Sequence, residues 1–132
     1  MKKATVFSLL LMVFVLASFT VFQTKPWPVP DKAAKTANPV KSDATSIAAG
    51  KALWSQHCAS CHGKTGVGDG PKSEQLETQP VDFSKAAFQS QSDGSVFYKT
   101  AEGRGDMPSF KKKITDPDDI WALVNFMRSL KK

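Results

Sequence analysis

The sequence predicts a small all-α domain threaded by long loops. Three observations carry this: segments whose apolar residues recur at steps of three and four, cap and stop residues that bracket them, and no convincing strand or hairpin pattern.

Taken in order, the chain opens with a stretch that belongs to no core. Met1-Lys2-Lys3 is followed by nineteen residues, Ala4 to Phe22, without a charge. A basic start and an apolar run mark an export signal, yet nineteen residues exceed the usual signal core of about 7 to 15 and approach the roughly 20 that span a bilayer. Residues 1–23 are therefore read as an uncleaved hydrophobic helix that anchors the chain in the cytoplasmic membrane. Lys2 and Lys3 keep its short end inside, and everything beyond Phe22 lies on the periplasmic side. The alternative is cleavage at Val15-Leu16-Ala17, leaving a soluble periplasmic or secreted protein. Residues 24–43, TKPWPVPDKAAKTANPVKSD, hold four prolines and four lysines. Few large apolar residues accompany them, so the segment reads as a semi-stiff linker with a span of about 25 Å or more. Trp27 suits either a membrane interface or a plain linker.

Residues 44–132 form the folded domain. The chain's net charge of +6 does not belong to it, because from Asp43 onward twelve basic residues meet eleven acidic ones. Nucleic acid is thereby a poor partner, since the expected basic stripe is missing and only Lys111-Lys112-Lys113 clusters. Ile47, Gly50, Trp54 and Cys58 share one face of a first helix capped by Asp43 or Ser46. Gly50 costs that helix about 1 kcal/mol relative to alanine, which suggests the close approach of another element. Four glycines between Gly63 and Gly70, followed by Pro71, make a loop. A second helix runs from Ser92 or Asp93 to Gly103, with Val96, Phe97 and Thr100 facing inward, and a turn-rich stretch leads to Phe110. The last helix has the strongest signals. Asp116 caps it, Pro117 fits its first position, Asp118 and Asp119 complement its dipole, and Ile120, Leu123, Val124, Met127 and Leu130 form its apolar stripe.

Both cysteines and one histidine fall in Cys58-Ala59-Ser60-Cys61-His62. A redox dithiol needs its first cysteine at a helix N-terminus inside a βαβ unit, but here the pair ends a helical pattern. Structural zinc needs four ligands, and beyond this motif only the adjacent His57 remains. A disulfide across two intervening residues would add little stability. Covalent haem uses every residue instead. Two thiols spaced in this way reach the two vinyl groups of a porphyrin and leave thioethers, and the next imidazole becomes the proximal ligand of the iron. For the sixth ligand the candidates are His57, Met12, Met107 and Met127. His57 adjoins the attachment site, Met12 lies in the apolar run and Met127 on the core stripe, so Met107, in a loop stiffened by Pro108, is favoured.

WSQHCASCHGKTGVGDGP, DGSVFYKTAEGRGDMPSF and DDIWALVNFMRSL together resemble the three signature segments of single-haem class I c-type cytochromes of the bacterial, membrane-anchored type. The likeness runs from about Ile47 to Leu130. It implies a cytochrome c-like domain of three to five helices, with Gly50 and Trp54 crossing Leu123 and Phe126. It further implies that the Pro71 carbonyl accepts from the proximal imidazole's second nitrogen.

A His/Met-ligated iron leaves no substrate position, so the expected function is a one-electron carrier of a respiratory chain rather than an enzyme. Trp54 and Phe110 are the favoured pocket aromatics, with Phe83 and Phe97 as further apolar neighbours. Arg104 is a candidate for a haem propionate. Lys111, Lys112 and Lys113 either ring a docking face for an acidic redox partner or are simply solvated. Two other readings stay open: an electron-entry subunit of a larger respiratory enzyme, and a five-coordinate haem enzyme or gas sensor.

Overall fold

The computed structural model describes residues 26–132, so the apolar segment read over 1–23 lies outside the described residues. Among the described residues no helix is long and apolar enough to cross a membrane.

Six helices and one 3-10 turn follow one another without a strand among the described residues: α1 (Asp31–Ala34), α2 (Ala44–His57), α3 (Ala59–His62), the 3-10 turn (Ser73–Gln75), α4 (Ala86–Gln89), α5 (Asp93–Glu102) and α6 (Pro117–Ser129). The expected three to five helices undercount these because α1, α3 and α4 have only four residues each, too few to display an apolar period.

The long helices begin where orphan amides find side-chain acceptors. Asp43 accepts from the Ser46 amide at 3.0 Å while Ser46 Oγ accepts from the Asp43 amide at 3.2 Å, so the two candidate caps of α2 form one reciprocal box. Ser92 caps α5 by accepting from the Ser95 amide, and Asp116 caps α6 by accepting from the Asp118 amide, with Pro117 in the first turn.

The core forms where α2 lies on α6. A Cβ at Gly50 would stand 2.1 Å from the Ala122 carbonyl oxygen and 2.9 Å from Phe126 Cβ, so only glycine permits this approach. The crossing that the resemblance implies is present, shifted by one residue, with Ala122 as the close partner. Leu123 is fully buried beside it, and Trp54 meets Phe126 at a ring separation of 5.5 Å.

Every residue of α6 from Ile120 to Met127 is buried, a broader surface than the predicted stripe. The segment read as a linker supplies the extra cover. Asn38 Nδ2 donates to Asn125 Oδ1 at 2.8 Å, and Asn125 Nδ2 in turn donates to the Val40 and Lys41 carbonyls and to Ser46 Oγ. Ser92 Oγ donates to the Ala34 carbonyl, and a Cβ on Gly94 would stand 2.1 Å from the Ala33 carbonyl. Residues 26–41 thus form a strap across α5 and α6 rather than an extended tether. Composition conceals this because the strap is held through backbone carbonyls and amide side chains, which leave no apolar period.

Candidate functional site

Cys58 ends α2 and begins α3, so the motif turns a corner between two helices. Both thiols are free. Burial, with a smaller contribution from Cys61, pushes the Cys58 thiol up to about 12. A redox dithiol needs the opposite shift, toward a stabilised thiolate, so the geometry disfavours that chemistry.

His62 follows on α3, its ring 5.0 Å from Phe83 edge-on and 5.6 Å from Trp54. Burial lowers its pKa to about 4, which leaves a neutral imidazole at pH 7, the form that binds a metal. Its Nδ1 is buried without a hydrogen-bond partner. The bond to the Pro71 carbonyl that the resemblance implies is therefore not made. Pro71 instead lines a surface cleft with Ala59, Ser60, Gly63 and Gly70, where the glycine loop folds back on α3 and the Lys72 amide donates to the Ser60 carbonyl at 2.9 Å.

The aromatic residues divide into three groups. Trp54, 1% exposed, donates from Nε1 to the Gly63 carbonyl at 2.9 Å and packs against Phe83, which fixes the loop behind His62. Phe110 is buried and lies 6.1 Å from the ring of the half-buried His57. Phe97 stacks on Trp121 at 4.1 Å. No ring contact joins Phe97 to His62, so it serves the core.

Met107 closes a turn after α5. Its carbonyl accepts from the Arg104 amide at 2.8 Å and its amide donates to the Arg104 carbonyl at 3.1 Å. The side chain is partly buried against the same core cluster that contains Trp54, Phe83 and Phe110. Met127 is 3% exposed within that cluster, in keeping with a packing role, and Met12 lies outside the described residues. Arg104 has turned to the strap, its guanidinium over the Trp27 ring. Of the lysine run, Lys111 pairs with Glu102 at 2.7 Å and Lys113 lies over Phe110. Sequence reading missed Asn38 and Asn125, although an asparagine inside an apolar helix is a signal that something polar must meet it.

The donor set fits haem: two thiols and a neutral imidazole within five residues, beside a wall of buried aromatic side chains. Fold and donors together define a c-type cytochrome, a haem-based electron-transfer protein of the single-haem class I kind that carries haem c covalently. The chain belongs to the family described as cytochrome c oxidase, cbb3-type, subunit III, whose model matches residues 45–127. No curated protein matches it. Among solved structures it is similar to a chain of the Kuenenia stuttgartiensis reducing HAO-like protein complex Kustc0457/Kustc0458, at 28% identity and a TM-score of 0.65. That match covers 83% of this chain but only 53% of the other, so this chain spans about half its length. The KustC0563 c-type cytochrome is similar at 35% identity and a TM-score of 0.55, over 63% of this chain and 98% of that one.

Proposed function

We propose that the protein is a one-electron carrier of a respiratory chain, in which Cys58 and Cys61 would hold the haem through thioethers and His62 and Met107 would ligate its iron. The observation that carries the reading is His62, a neutral imidazole held against Trp54 and Phe83 one residue after Cys61. When bound, the haem supplies a reversible Fe(II)/Fe(III) couple. Trp54 and Phe83 exclude water from the His62 side, and the Trp54 bond to Gly63 holds the loop that follows the motif. A thioether from Met107 favours the reduced state relative to a second imidazole.

The apolar segment ending at Phe22 tethers the domain to the outer face of the cytoplasmic membrane in this reading. Three residues, 23–25, separate Phe22 from Pro26, where the strap begins. The four chain steps from Phe22 to Pro26 reach at most about 14 Å, so in this reading the domain rides close to the bilayer instead of swinging on a long linker.

Absorption spectroscopy of the haem-loaded protein tests the ligand set. A methionine-to-ferric-iron charge-transfer band is expected in wild type and is lost in Met107→Leu. A wild type without the band would instead support the five-coordinate enzyme or sensor.

A second reading, an electron-entry subunit of a larger respiratory enzyme, is favoured by the oxidase-subunit family and by the neighbour that belongs to a protein complex. Co-purification of further redox subunits after mild membrane solubilisation supports it, and recovery of the chain alone supports a free carrier.

A further inference from the structure

We propose that Trp27 is a positioning residue for the Met107 loop, acting through Arg104. The inference rests on the Met107 ligation proposed above.

Apart from Met107, which packs against the core cluster, the loop from Gly103 to Pro108 is largely exposed. Its tip is a turn closed by the two backbone bonds between Arg104 and Met107. The Asp106 carboxylate secures one flank by accepting from the Glu77 amide at 2.9 Å. The other flank is held by the strap. Arg104 places its guanidinium 4.5 Å from the centre of the Trp27 ring and donates from Nη1 to the Pro26 carbonyl at 2.8 Å. Lys99, on α5, approaches the same ring at 5.7 Å. One indole therefore bridges a cation on a rigid helix and a cation on the ligand loop. It also lies against two like charges: burial, and then the charge of Arg104, lowers the Lys99 pKa.

Trp27 can act as a bridge because the strap behind it is docked. The Ser92 hydroxyl holds the Ala34 carbonyl, Gly94 leaves room for the Ala33 carbonyl, and Asn38 is locked to Asn125. Loops that carry ligands come from the weakly held parts of a fold, so a contact outside the loop shifts how often the ligand side chain leaves its place. Arg104 is hydrogen-bonded to Met107 through both of its backbone groups, so releasing its side chain loosens the turn that presents the thioether.

The experiment uses ferric, haem-loaded full-length protein and titrates imidazole, which binds the iron only where methionine has left. Its apparent affinity therefore reports how often the loop opens. Trp27→Ala is expected to tighten imidazole binding by about three- to tenfold, from the loss of cation–π contacts. Trp27→Phe should restore most of the wild-type affinity. In an Arg104→Gln background Trp27→Ala should add little, because both changes cut the same link. Wild-type affinity in Trp27→Ala, with the charge-transfer band intact in wild type, would overturn the proposal and leave Met107 as ligand. Full additivity of the two substitutions would overturn the route through Arg104. Absence of the band in wild type would overturn the ligation and this proposal together.

Discussion

Gly50→Ala sets two effects of opposite sign against each other. In an isolated helix alanine is better than glycine by about 1 kcal/mol. In this fold the new methyl group would stand 2.1 Å from the Ala122 carbonyl oxygen, 2.6 Å from its carbonyl carbon and 2.9 Å from Phe126 Cβ. Ordinary contact begins near 3.4 Å, so α2 and α6 must part by about 1.3 Å at the crossing. Two of those obstacles are backbone atoms and cannot rotate away. Overpacking of this kind costs typically 1–3 kcal/mol and more when helices must move. The expected net loss is about 2 kcal/mol, or a fall in Tm of roughly 8 to 16 °C for a domain of this size. The assay is thermal and denaturant unfolding of the haem-loaded protein followed by far-UV circular dichroism. A Gly50→Ala variant as stable as wild type, or more stable, would refute the reasoning and show that the crossing yields without strain.

Three further outcomes are expected. Asn125→Ala leaves the Val40 carbonyl without its partner, takes one of two donors from the Lys41 carbonyl and leaves the Asn38 amide only its 3.4 Å bond to the Trp121 carbonyl, and should cost about 1–3 kcal/mol in denaturant unfolding. A double-mutant cycle with Asn38→Ala should show strong coupling, and additive losses would mean that the strap is not held there. Trp54→Phe keeps a ring against Phe83 and Phe126 but removes the bond to Gly63, so a loss of about 1 kcal/mol or somewhat more is expected. Asp82 is held below the usual carboxylate range by the Ser84 hydroxyl and amide, then by Lys85. A depressed value stabilises the fold above the ordinary carboxylate range and is lost as pH falls through it, so Asp82→Asn should flatten the acid limb of a stability–pH curve. An unchanged limb would remove Asp82 from the account.

What was legible in the sequence was local. Asp116-Pro117 announces the start of α6 because a cap acts within three residues, and the five-residue haem motif holds its donors through one turn of chain. The need for a glycine at position 50 was also legible, because a helix interior disfavours glycine unless something lies close. The single turns α1 and α3 were not, since four residues are too short for an apolar repeat to appear, whereas residues 73–88 read as short, broken helical or irregular pieces around Pro80 and hold the 3-10 turn and most of α4.

Tertiary structure decided the rest. Whether Phe97 or Phe83 stands beside His62 depends on how distant segments pack, and the fold sends Phe97 to Trp121 and Phe83 to His62. The Pro71 carbonyl, near in sequence, makes no bond to His62 Nδ1. Most of all, the proline- and lysine-rich stretch that composition reads as a linker becomes a strap whose Trp27 meets Arg104, seventy-seven positions along the chain. Composition describes what a segment can bury by itself. A strap is stabilised by carbonyls, amides and cations supplied by residues far away in the chain, and only the folded arrangement brings those partners within reach.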